Sequence, residues 1–74
     1  MDLDLTDAVR VEVAAIETDS DHRAAVVTSF TLRVVLTDGS ERTWSDRYPP
    51  GSGPTYPAFT LMIDRINGDL QRRA

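Results

Sequence analysis

The chain's single histidine, His22, follows Asp19, Ser20 and Asp21, a cluster whose residue types suit divalent-cation binding or the orientation of an imidazole. A metal needs ligands converging from several directions, whereas a loop tip offers them from one side. The reading with fewer requirements is a solvated turn, and a binding module built on Asp19, Asp21 and His22 is the alternative to it. Glu17, Asp19 and Asp21 also occupy the first three ligand positions of a calcium loop. The glycine required next is His22 and the closing glutamate is Thr28, so the calcium pattern fails.

Nucleophilic chemistry fares no better. Serines and threonines are plentiful, but a hydroxyl nucleophile needs a base beside it, and the sole histidine is committed to the loop. Nothing in the spacing of the aspartates brings two of them into one pocket for acid–base work. Gly51-Ser52-Gly53 is too short for a phosphate loop and has no lysine. The chain therefore reads as non-enzymatic, with no cofactor and no resident metal.

Composition narrows the partners. Twelve acidic residues oppose eight basic ones, for a net charge of -4, so the long-range field repels nucleic acid and anionic membranes. Mimicry of nucleic acid by an acidic surface is a weaker alternative, because the acids are scattered among turns and termini. Met1-Asp2-Leu3-Asp4-Leu5 lacks the basic region and apolar run of a signal peptide, and no stretch reaches the roughly 20 apolar residues that cross a bilayer. The expected location is the cytoplasm. With 74 residues the chain forms one domain, residues 1–74, whose core is thin; chains of this size bury only about 60% of their unfolded surface. Cysteine is absent, which excludes disulfides and leaves self-association as the usual remedy.

Four elements follow from periodicity. Residues 1–7 read as a frayed arm. Residues 8–17 fit both a helical and an alternating template, and the three valines Val9, Val11 and Val13 decide for a strand, since β-branching suits a pleated surface. A polar loop, Asp19 to His22, then pairs Thr18 with Arg23 and sets Val11 opposite Phe30. The second strand alternates Val26, Thr28, Phe30, Leu32, Val34 and Leu36 on one face. A three-residue turn, Thr37-Asp38-Gly39, with Gly39 as a bulge, sets Leu32 opposite Trp44 and buries the indole. The third strand spans about Glu41 to Tyr48. A stiff connector through Pro49, Pro50, Pro54 and Pro57 leads to a helix starting at Thr55 or Tyr56, with the stripe Phe59, Met62, Ile63, Ile66 and Leu70. Asn67-Gly68 resembles a stop signal, although Leu70 continues the stripe.

The expected fold is α+β: a three-stranded antiparallel meander in the order 1-2-3, with one C-terminal helix on one face. The second face would then show Ala14, Ile16, Ala25, Val27 and Val35 beside Arg10, Glu12, Arg33 and Arg47. Such a surface calls for a cover. The expected function is a small interaction, regulatory or accessory module, working as a homodimer or on a larger protein partner. Its candidate contacts are Ile16, Val27, Arg33, Val35 and Arg47 on that face, with Tyr48 and Tyr56 at the connector.

Overall fold

The structure is a computed structural model that describes residues 3–19 and 25–73. Strand β1 (Ala8–Thr18), β2 (Val27–Leu36) and β3 (Glu41–Arg47) precede helix α1 (Tyr56–Arg73), and the sheet has the order β1-β2-β3 with both pairings antiparallel. This is the α+β meander with a C-terminal helix that the periodicity predicts.

The second turn forms for local reasons. Gly39 takes a φ of 85°, a left-handed backbone that costs glycine nothing. The Leu36 N–H donates to the Ser40 carbonyl at 2.8 Å and the Gly39 N–H to the Leu36 carbonyl at 3.0 Å. The Asp38 carboxylate accepts from the Ser40 hydroxyl and the Ser40 N–H, which in that order hold its pKa below the ordinary carboxylate value. Leu32 accordingly faces Trp44, as expected.

The first hairpin differs from expectation. Val11 faces Val34 rather than Phe30, four positions along, and the last ladder pair is Thr18 with Val27 instead of Thr18 with Arg23. A slip by an even number keeps every side chain on its face, so alternation alone cannot detect it. The hairpin closes where the Asp19 N–H donates to the Val26 carbonyl at 3.0 Å and the Val26 N–H returns to the Asp19 carboxylate at 2.9 Å. Three irregularities then break the alternation, between Ala8 and Arg10, between Val13 and Ala15, and between Glu17 and Thr18. The second sets Ile16 opposite Phe30, on the core side. The third inserts a residue in β2 and turns Val27 inward.

The core is one cluster: Ala8, Val11, Val27, Phe30, Leu32, Val34, Phe59, Ile63 and Leu70, with Trp44, Tyr48, Met62 and Ile66 packed against it. Phe30 is its aromatic centre, with Phe59, Trp44 and Tyr48 at ring-centroid distances of 5.1, 5.5 and 5.7 Å, all tilted. Residues 3–7 are not a frayed arm. Leu3 and Leu5 pack on the cluster, the Ala8 N–H donates to the Leu5 carbonyl at 3.1 Å, and Arg42 on β3 donates to the Asp4 carbonyl at 2.5 Å. Asp7 completes that turn with a φ of 61°.

The connector is tied down as well as stiff. Val26 forms an antiparallel bridge with Thr55, the Val27 N–H donates to the Pro54 carbonyl at 2.8 Å and the Tyr56 N–H to the Ala25 carbonyl at 3.1 Å. Thr55 caps α1, its hydroxyl accepting from the Ala58 N–H at 3.4 Å. The helix then runs past Asn67-Gly68 to Arg73, so that pair is not a stop.

Two glycines have opposite consequences. A Cβ on Gly53 would lie 1.9 Å from the Val27 carbonyl oxygen, a backbone atom that cannot move without breaking the bridge. Gly53→Ala should destabilise the fold by about 2 kcal/mol or more in chemical denaturation. A Cβ on the helical Gly68 would meet only the Arg72 guanidinium, at 3.8 Å. Gly68→Ala should stabilise by about 1 kcal/mol, since glycine in a helix wastes backbone entropy.

Candidate interaction surface

The outer face of the sheet is wet, contrary to expectation. Arg10, Glu12, Arg33 and Glu41 form a chain of ion pairs across all three strands, with contacts of 3.3, 3.6 and 3.6 Å. Beside it the Thr31 and Ser45 hydroxyls meet at 2.7 Å. Each exposed ion pair contributes only about 0–1 kcal/mol, so this lattice does little for stability. Its effect is to keep the face hydrated.

The predicted contact residues therefore separate. Val27 is wholly buried in the core and Ile16 packs against it, both carried there by the bulges. Val35 does lie on the outer face, but it stands in register between Arg10 and Glu41 and is buried there. Arg33 sits at the centre of the ion-pair chain. Arg47 is exposed at the end of β3. Tyr48 is half-buried against Phe30, and burial, followed by the Asp46 charge, pushes its phenol pKa up. Tyr56 is exposed in the first turn of α1. These residues do not make one apolar patch. Asp21 and His22 lie outside the described residues, and the Asp19 carboxylate is occupied by the Val26 N–H. Among the described residues no group of three or more His, Cys, Asp or Glu side chains converges.

What the sheet offers instead is two unlike margins. In an antiparallel ladder the N–H and C=O of alternate residues point away from the neighbouring strand. On β1, Val11 is such a residue, and the Asn67 side chain of α1 answers both its groups: the Val11 N–H donates to Asn67 Oδ1 at 2.8 Å, and Asn67 Nδ2 donates to the Val11 carbonyl at 3.0 Å. A side-chain amide thus does the work of a paired strand. The helix's C-terminal half lies along the start of β1, where two shallow cavities open around Val9. One, of about 330 Å³, includes Asp7, Thr37, Leu70 and Arg73; the other, of about 300 Å³, includes Arg10, Asn67 and Gln71.

The β3 margin has no such cover. The Leu36–Ser40 bond and the Tyr48 N–H to Thr28 carbonyl bond at 2.9 Å bracket the β2–β3 ladder, so the even-numbered residues of β3 face β2. The backbone groups of Glu41, Thr43, Ser45 and Arg47 then point outward. Arg47 N–H is satisfied by the Asp46 carboxylate at 2.8 Å. No described residue answers Glu41, Thr43 or Ser45, and every β3 residue except Trp44 is exposed. Asn67 carried a signal in the sequence: a polar residue among Ile63, Ile66 and Leu70, on the buried stripe of the helix, requires a partner there.

No protein-family model, curated protein or solved structure matches the chain. No helix among the described residues is long and apolar enough to cross a membrane.

Asn67→Ala should cost about 1–3 kcal/mol, the penalty for leaving Val11 unanswered in a half-buried site. Hydrogen exchange at the Val11 amide, read by NMR, should accelerate by more than at other β1 amides. An unchanged melting temperature and exchange rate would show that water replaces the carboxamide without loss.

Proposed function

We propose that the chain is a small non-catalytic interaction module, a regulatory or accessory part that works by docking on another protein chain along the bare margin of β3. The observation that supports this is the unanswered row of outward backbone groups on β3, at Glu41, Thr43 and Ser45. On β1 the chain spends a helical side chain on Val11, whereas on β3 it leaves a row of outward N–H and C=O groups exposed. An open edge of this kind is a template for strand addition, and protein chains generally cover or blunt edges that have no use. Main-chain hydrogen bonds then supply attachment, and the side chains of Glu41, Thr43, Ser45 and Arg47 on one face and Arg42, Trp44 and Asp46 on the other supply selectivity. Arg33 joins the first group through its 3.6 Å contact with Glu41, and Tyr48, the residue after the strand, packs on Phe30 beside Trp44.

Thr43→Pro tests the reading. The Thr43 N–H points outward, so proline there removes an edge donor without removing a bond to β2. The variant should unfold cooperatively as the parent does, yet fail to associate. In the associated state of the parent the Glu41, Thr43 and Ser45 amides should exchange more slowly than in dilute solution. Association that persists in Thr43→Pro, with slowed exchange elsewhere, would place the docking surface off β3.

A further inference from the structure

We infer that the occupant of the β3 margin is a second copy of the chain, its β3 laid antiparallel and centred on Trp44. This rests on the reading of β3 as a docking margin and names the partner. The order of charges along the strand, Glu41-Arg42-Thr43-Trp44-Ser45-Asp46-Arg47, selects this occupant. About Trp44 the strand is antisymmetric in charge: glutamate at one end answers arginine at the other, and arginine answers aspartate one place in. A twofold interface brings each residue against its mirror position. Glu41 then meets Arg47 of the second copy, Arg42 meets Asp46, Thr43 meets Ser45, and the two Trp44 side chains meet on the axis. Each charge has an opposite, and no like charges are opposed.

Backbone geometry selects the same alignment. Only odd-numbered residues of β3 present outward N–H and C=O groups, and here odd faces odd: Glu41 with Arg47, Thr43 with Ser45. Sliding by one residue sets outward groups against inward ones. Sliding by two sets Arg42 against Trp44, or Asp46 against Trp44, and the charge matching is lost. Sliding by four opposes Arg42 to Arg42 or Asp46 to Asp46.

The side chains fall on consistent faces. Glu41 and Arg47 extend the outer ion-pair chain that already joins Glu41 to Arg33. Arg42 and Asp46 pair on the helix side, where Arg42 also holds the Asp4 segment. Arg47 N–H exchanges its own Asp46 carboxylate for the Glu41 carbonyl of the second copy, which frees Asp46 for Arg42. Trp44, half-buried against Phe30, covers its remaining apolar area against its twin in a pair whose Cα atoms stand only about 4.5 Å apart. The whole chain carries a net charge of -4, but this strand carries two acids and two bases. Two like-charged copies meet at a neutral margin.

Sedimentation equilibrium from low micromolar to near-millimolar concentration tests the inference, with dilute thermal melts to confirm folding. The parent should dimerise. Glu41→Arg and Arg47→Glu should each weaken the dimer by about tenfold or more, because each opposes like charges twice. An equimolar mixture of the two variants should associate again: the introduced arginine meets the introduced glutamate, and Arg47 meets Glu41. In a sample mixed from isotope-labelled and unlabelled copies, an intermolecular NOE should join the Hα protons of Arg42 and Asp46. A parent that stays monomeric throughout, or variants that dimerise as the parent does, would overturn the second copy as occupant. If β3 amides are nevertheless protected by a different protein, the docking reading survives that result; protection of another surface overturns both.

Discussion

Two hydrogen bonds between Asn67 and the backbone of Val11 decide how the rest of the chain is laid over the sheet. Each is worth little net in water, but leaving the pair unmade in a half-buried place costs more than making it gains. The carboxamide reaches β1 from the middle of an 18-residue helix, so α1 is drawn along the β1 side of the core face. Phe59, Ile63 and Leu70 are then delivered to the cluster from that side. The remainder of the face falls to other cover, namely Leu3 and Leu5 and the aromatic group around Phe30. One helix is too narrow for three strands, and the N-terminal segment makes up the width.

The bulges settle the second constraint, the fate of the apolar residues that strict alternation would send outward. A single inserted residue reverses the facing of everything beyond it. Ile16 and Val27 are recovered for the core in this way, while Val9, in the first irregularity, is left 44% exposed. A core this small gains from each apolar side chain it recruits, at roughly 1.5–3 kcal/mol apiece, which outweighs a locally interrupted ladder. The outer face is left to charges and hydroxyls. Its one large apolar member, Val35, is covered by its neighbours.

The two margins follow from the same economy of hydrogen bonds. Backbone groups at the edge of a sheet must be met by water, by the chain itself or by another chain. On β1 the chain meets them at Val11. On β3 it offers instead a strand whose charges reverse sign about Trp44, a pattern plain in the sequence but without meaning until β3 is known to be an edge. Of the contact residues expected from the sequence, Arg33, Arg47 and Tyr56 reach the surface and Tyr48 does so in part. Ile16 and Val27 do not, because their facing depended on a regularity that the strands do not keep, and Val35 keeps its predicted facing but is buried there.

The sequence by itself determined the element order, the antiparallel meander, the turn at Thr37-Asp38-Gly39 with its pairing of Leu32 to Trp44, and the apolar stripe of the helix. These are local: they depend on side-chain period, on backbone preferences of single residues, and on hydrogen bonds spanning a few positions. The tertiary structure alone decided the register of β1 on β2, the bulges, the docking of residues 3–7, the continuation of α1 through Gly68 and the role of Asn67. In each of these the deciding contact joins segments far apart in the chain. A period-two pattern is unchanged by a slip of four residues, and an asparagine that ends a helix looks no different from one that holds a strand 56 positions away.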